Sequence, residues 1–578
     1  MIYLELIYSV LVFLATTGGL GLFFASFLKG EMLQRFTLGL GLTLFLLFGL
    51  FFFLYQTGLP FGCLTITPVI SLLLLALRYR SLEESLREPG FRSSLLLYLM
   101  LSAWTLLCLA YIQTYNGGKW AGDWIEHYER ALFFLKPLPL DHIFIGLYSF
   151  TARPPMGNAL YAFFMAITEA DFAHFQVFCS LLNLLVLFPA LLLLKHFRTG
   201  KFNHFPAWIL LLLLMTSPMF MQNALYAWTR LLCAFFILFS VYLFLRSEKD
   251  AGLFFRQAMA FASLAVALLV HYSAGPYVVA CLFAYFFVSR DRLRKPRFWK
   301  ETVWIGFTCA LLLFVWFAWA IRVYGFSGTF LSNTAVTDVQ DYTFLENVFK
   351  VFSNLFNSLV PHPLRGVSMD TAFSPADPLF AIRDYFFSIY QVSLFPMMGL
   401  MTIPVLFFHY KDNLFNSIRT GSAFRSISLW WFAGVVVLGV AVHGGYDSLG
   451  LAHICLQPLA LLVVVFLAAN FDRLSGRLKA ILFAGIAFDF VFGVALHLQL
   501  LSTGPRDLLF FFIPGGQIEL LQATIGHAAV ANYQAQMFKG FTLLGELVSM
   551  PGWLFWTMAL ILISVVLIAL ARGRTREN

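Results

Sequence analysis

Charge is what this chain has least of. Asp, Glu, Lys and Arg together make up 12% of its 578 residues. A soluble protein of this length needs far more polar surface to stay in water, so that class is excluded. Cysteine is also sparse. The seven (Cys63, Cys108, Cys179, Cys233, Cys281, Cys309 and Cys455) all fall inside apolar runs with no CxxC neighbour, which excludes a disulfide framework or a zinc site of the usual spacing and leaves them as small packing residues. There is no Asn-x-Ser/Thr site, which argues against a glycosylated secretory-pathway protein, and we find no internal repeat or low-complexity tract.

What is abundant is apolar and aromatic. Hydrophobic residues make up 60% of the chain and aromatics 18%, and the mean hydropathy is +0.81. Runs of about 20 apolar residues, the length that crosses a bilayer core, recur from end to end. The expected fold is an all-α polytopic membrane protein with about 13–15 transmembrane helices. Fifteen runs fit, near 3–28, 36–56, 60–77, 94–113, 172–194, 205–222, 228–245, 256–271, 274–289, 303–323, 387–408, 428–442, 449–469, 480–501 and 552–571. The first lacks a basic start and a clear cleavage site, so it reads as a span and not as a signal peptide.

The formal charge is +9, but its distribution argues against a nucleic-acid partner. Alternating the spans places 27 of the 38 Lys and Arg residues on one side, including the run "SRDRLRKPRFWK". Basic loops stay cytoplasmic, so this excess sets orientation: N-terminus outside, C-terminus inside. The expected location is a bacterial cytoplasmic (inner) membrane. The inner loops are short, and three long ones (114–171, 324–386 and 502–551) lie outside. In the first, "RPPMGNALYAFFMAI" starts a helix too short to cross, and we read 156–168 as lying in the interface. In the second, "LENVFKVFSNLFNSLV" has the period of an interfacial amphipathic helix. Chemistry or recognition is therefore expected on the outer side.

The stretch "GGKWAGDWIEHYERALFFL" draws attention because it spends Asp123, Glu126, His127, Glu129 and Arg130 within eight positions. On a helix, Glu126 and Arg130 are four apart and make a simple ion pair, and Asp123 shares a face with His127. If that helix starts near Trp120, Asp123 has no Lys or Arg at helical spacing within it. Three readings stand side by side: a general base acting on a hydroxyl, a carboxylate–histidine pair for a divalent metal, or ordinary solvated acids.

The order of a span, a loop with "GDW…H…R", then "RPPM…LYAFF" and a long span ending in basic residues resembles the GT-C superfamily. These are membrane glycosyltransferases dependent on polyprenyl-phosphate sugars, including the ArnT-like and protein O-mannosyltransferase-like enzymes. The resemblance continues in "SPMFMQNALYAWTRLLCAFFILFSVYLFLR", "LLVHYSAGPYVVA" and "AHICLQPLALLVVVFLAANF", covering roughly 94–470. It implies a division into an N-terminal extension (1–92), a catalytic membrane core (93–470) and C-terminal spans (471–578). It also implies that Asp123, in the first large outer loop, acts as base or metal-binding group while a sugar passes from a lipid phosphate to a lipid, glycan or protein acceptor. A departing lipid phosphate gathers negative charge, so cationic donors should collect near it. The outer candidates are Arg153, Arg230, Arg322, Arg365, Arg383, Arg506 and His271, with Tyr272, Glu126 and His127 beside the substrate. Each arginine has a duller reading as a side chain snorkelling from a helix end.

Two features depart from the family pattern. Four spans precede the loop where one is usual, and Trp124 follows Asp123 where several relatives carry a second acid. Metal dependence therefore does not follow from the resemblance: no cofactor is implied with certainty, and a divalent metal stays possible. Asp489 falls in the middle of an apolar run, with His497 two turns on, and serves either a polar channel or a buried hydrogen bond. His527, Asn532 and Lys539 in the last outer loop are candidates to hold the acceptor. Two other functions compete: a transporter or flippase of a lipid-linked glycan, and a polymerase or ligase of surface glycans.

Overall fold

The computed structural model describes residues 2–115, 123–136, 138–144, 148–198, 204–246, 253–331, 342–367, 378–420, 422, 426–503 and 542–575; for residues 2, 123 and 572–575 it describes the backbone alone. The described chain is a bundle of helices, with one isolated β-bridge between Phe144 and Tyr148. Eight helices are long and apolar enough to cross a membrane, or ten if each of two bent pairs counts as one span. The remaining expected runs are mostly shorter helices, such as Gly275–Val288 and Ile427–Ala441.

The polar groups separate to the two ends of this bundle. At one end Lys195 pairs with Glu31, Arg198 with Asp472 at 2.6 Å, and Arg297 with Glu301 at 2.9 Å. The basic turns expected to share a side meet here. At the other end the long connections knit together. Gln113 and Thr114 donate backbone N–H groups to the Leu501 carbonyl at 3.1 Å, and Tyr324 donates to the Leu140 carbonyl at 2.8 Å. The Leu544 N–H reaches Gln176 Oε1 at 2.8 Å, and Gln176 in turn donates to the Tyr115 hydroxyl. Phe555, in the last helix, stacks on Tyr111 at 4.1 Å.

Two expectations are corrected. The segment read as an interfacial helix at 156–168 is the helix Met156–Ile167, and it is buried almost throughout. Its residues are apolar on every side, and a helix of that kind belongs inside a bundle. The expected span 387–408 is broken. Helix Pro378–Val392 ends, a short turn Leu394–Met397 follows, and a new helix runs Thr402–Arg419. Pro396 and Gly399 cause the break, the latter at φ +98°, a left-handed conformation that glycine adopts freely.

Asp489 closes this break. Its carboxylate accepts the Leu400 N–H at 3.0 Å and the Tyr390 hydroxyl at 2.6 Å. A freed backbone N–H at bilayer depth must find a partner inside the protein. Asp489 supplies one, so the structural reading of this residue holds.

Candidate functional site

The helix Asp123–Leu135 sits at the looped end and packs on Met156–Ile167. The residues that looked like a polar loop are its buried face. Glu126, His127, Glu129 and Arg130 are all nearly inaccessible. Charges are rarely buried unless paired, and these are paired. Arg130 Nε donates to Glu126 Oε1 at 2.7 Å, and its two terminal nitrogens donate to the carbonyls of Phe150 (2.8 Å) and Ser149 (2.9 Å). Its guanidinium also lies 4.3 Å from the Phe144 ring. The i,i+4 ion pair read from spacing is present, and it also anchors the following loop.

A second guanidinium shares the same carboxylate. Arg153 Nη2 donates to Glu126 Oε2 at 3.2 Å and packs over Tyr148. On the neighbouring turn His127 Nδ1 meets Asn158 Oδ1 at 2.9 Å, which makes Nδ1 the protonated nitrogen of a neutral ring. One carboxylate thus holds two arginines, and one amide fixes a histidine.

Burial and charge act in opposite directions on these two groups. Burial alone would raise the Glu126 carboxyl, but Arg153 and Arg130 overcome it and bring it down to about 2. Burial pushes His127 down to about 3, with Glu126 opposing and the arginines assisting. Both depressions have the same sign for stability. A folded state that resists protonation loses ground wherever the unfolded chain takes up protons. His127 therefore weakens the fold as pH falls from its ordinary 6.5 towards 3, and Glu126 does so from 4.5 towards 2. We expect the thermal midpoint in detergent to fall on going from pH 7 to pH 5, and the His127→Gln protein to show a shallower fall over that interval.

The other expected residues divide into two sets. Arg230 stacks on Trp228 at 4.6 Å. Arg153 and Arg230 are the charged neighbours of His271, with the neutral His127 ring also near it, and the Tyr272 hydroxyl donates to the Thr151 carbonyl at 3.4 Å. Glu126, His127, Arg153, Arg230, His271 and Tyr272 therefore belong to one cluster. Arg322 does not join it. It is exposed on the helix Pro296–Phe330 and forms no hydrogen bond or ion pair among the described residues. Arg365 is used elsewhere, donating to Ser448 O at 2.6 Å and Asn357 Oδ1 at 2.8 Å. The Asp123 side chain, Arg506, His527, Asn532 and Lys539 lie outside the described residues.

Two participants, Asn158 and His453, escaped the sequence reading, while Arg383, an expected outer cation, turns inward. Asn158 lies 31 residues from the histidine it fixes. His453 is buried, with Arg230 and Arg153 as its charged neighbours. Arg383 forms a fully buried pair with the adjacent Asp384 at 2.7 Å and neighbours His497, which contacts Tyr226 at 3.2 Å. Only the chemical type of Asn158 and His453 could have flagged them, because their neighbours come from distant segments. For metal binding, one group among the described residues converges: Glu169, Asp171 and His174, with ligand atoms within 4.8 Å of one another. His174 Nδ1 is already bonded to Asp171 at 2.7 Å, and that group lies beside Tyr128, away from Glu126.

Fold and cluster together define an all-helical polytopic membrane protein with a buried, arginine-rich centre at one end of its bundle. Among solved structures, it is similar to ArnT from Cupriavidus metallidurans bound to undecaprenyl phosphate, with a TM-score of 0.44 and 12% identity over 77% of this chain and 79% of that one. The same enzyme in its apo state gives 0.40 and 13% over the same shares. No family model and no curated protein sequence matches this chain. A likeness of that degree decides nothing about substrate or catalytic residues.

Proposed function

We propose that this protein is a membrane glycosyltransferase that moves a sugar from a polyprenyl-phosphate donor to a hydroxyl-bearing lipid, glycan or protein acceptor at the extracytoplasmic face. The observation that carries the reading is the pairing of Arg153 with Glu126, inside a buried cluster that also holds Arg230, His271 and His127. Two arginines and neutral histidines at the end of a membrane bundle suit a phosphate that is tethered to the bilayer by its own lipid.

In this scheme the acceptor oxygen forms a bond to the anomeric carbon while the bond from that carbon to the phosphate oxygen breaks. The electron pair leaves with the polyprenyl phosphate, whose added charge Arg153 and Arg230 stabilise. The acceptor proton passes to the carboxylate of Asp123, the first residue of the helix that carries Glu126 and His127. Glu126 is a positioning residue, since both its oxygens are engaged by guanidinium groups.

The test is transfer from a radiolabelled polyprenyl-phosphate sugar by purified protein in nanodiscs. The Asp123→Asn protein should bind the donor as the wild type does and transfer at least about a hundredfold more slowly, the scale of a lost general base. Undiminished transfer by that variant would remove Asp123 from the reaction. Movement of the donor across the bilayer without any transfer would instead favour a flippase.

A further inference from the structure

The helix Phe344–Leu359 has two opposed faces. On one, Phe344, Leu345, Phe349, Phe352 and Phe356 are each more than half exposed. At the helical period, the last four fall within a sector of about 60°. On the other face Lys350, Asn354 and Ser358 are buried, and together with Asn357 they grip a loop. Asn354 Nδ2 donates to Gly445 O at 2.8 Å, and its Oδ1 accepts the Asp447 N–H at 2.9 Å. Asn357 donates to Asp447 O at 2.8 Å, and Ser358 Oγ accepts the Leu451 N–H at 2.9 Å. Lys350 and Arg365 extend the grip to Gly444 and Ser448. Gly450 sits in the closest gap, at φ +117°, where a Cβ would come within 2.6 Å of Val392 O and 2.8 Å of Asn357 O. Three residues further on is His453, beside Arg230 and Arg153.

The phenylalanine face belongs to lipid. With the polar face fully engaged by the bundle, the apolar face must point away from the protein. The helix also packs along Ile427–Ala441, an apolar helix that itself exposes Trp430 and Val437. The phenylalanine row therefore continues the outer surface of a membrane-spanning bundle, at the end where the helices stop. An apolar face at that level beds into the headgroup–acyl boundary.

We propose that the Phe344–Leu359 helix is a lipid-seated clamp: its phenylalanine face beds in a phospholipid monolayer while its asparagine face fixes the 444–451 loop and so holds His453 in place within the field of Arg230 and Arg153. The clamp residues are positioning residues. The consequence for a bound lipid phosphate rests on the reading of the site given above, whereas the clamp itself does not.

The experiment uses the full chain in phosphatidylcholine nanodiscs. Trifluoromethyl-phenylalanine placed at 352 should give a fluorine signal broadened by nitroxide-labelled lipid and little affected by a soluble gadolinium chelate. Hydrogen exchange of the 444–451 amides should rise about tenfold in Asn354→Ala, the scale of one or two lost hydrogen bonds. The double variant Phe349→Asp/Phe352→Asp alters only the opposite face, yet it should raise exchange of the same amides, and Phe349→Leu/Phe352→Leu should restore slow exchange. Broadening by the soluble chelate, or loop exchange unchanged in the aspartate variant, would overturn the clamp. Failure of the wild type to bind a polyprenyl phosphate would overturn the site reading alone.

Discussion

Glu126→Gln should destabilise the protein by about 3–5 kcal/mol, the usual penalty for removing one member of a buried ion pair. The amide keeps the shape of the carboxylate and one acceptor oxygen, so little packing is lost. What is lost is the only charge that Arg130 and Arg153 are shown to share, both of which contact Glu126 directly. Two guanidiniums, Arg130 fully buried and Arg153 partly so, would then be left without their shared counter-charge. The matched control is Glu83→Gln, which breaks the exposed pair with Arg87 and should cost less than about 1 kcal/mol. Thermal unfolding in detergent, followed by size-exclusion chromatography of the surviving fraction, measures both. Equal midpoints for the two variants would show that the Glu126 pair is no stronger than one in solvent.

Arg230→Ala should weaken binding of a polyprenyl phosphate by roughly ten- to a hundredfold, the range for losing hydrogen bonds to a charged group. Arg322→Ala should leave affinity unchanged. Both arginines stand near helix ends on the expected outer side, and sequence alone gave no ground for choosing between them. The structure separates them, because Arg230 lies on Trp228 among the histidines of the cluster while Arg322 is exposed. Titration of each variant in nanodiscs with a short-chain polyprenyl phosphate measures the difference. If Arg322→Ala lost as much affinity as Arg230→Ala, the phosphate would have to bind elsewhere.

The features that were legible in advance are those set by local spacing. Hydropathy fixes the membrane class, because each span must satisfy its own backbone within about 20 residues. The Glu126–Arg130 pair follows from helical periodicity. The features that were not legible depend on long-range packing. Arg153 reaches Glu126 from 27 positions away, and Asn158 reaches His127 from 31. The same limit applies to the helix Met156–Ile167. Its length excludes a crossing, but apolar residues on all sides around Asn158 place it in the interior and not at the interface. The break after Val392 left a local signal in Pro396 and Gly399, outweighed by the apolar residues around them. Its necessary partner, Asp489, lies 89 residues further along the chain than the N–H it accepts.

The foot of the connection that leads to Asp123 carries a consequence for how the molecule is made. Tyr111 and Tyr115, where the chain leaves its span for Asp123, are held through Phe555 directly and through Gln176 and Leu544 in relay. Leu544 and Phe555 come later in the chain than every residue of the cluster. The cluster residues from Glu126 to Tyr272 are therefore made before the segment that braces their footing, so a nascent chain stopped short of Leu544 would carry every arginine of the cluster on an unfinished base.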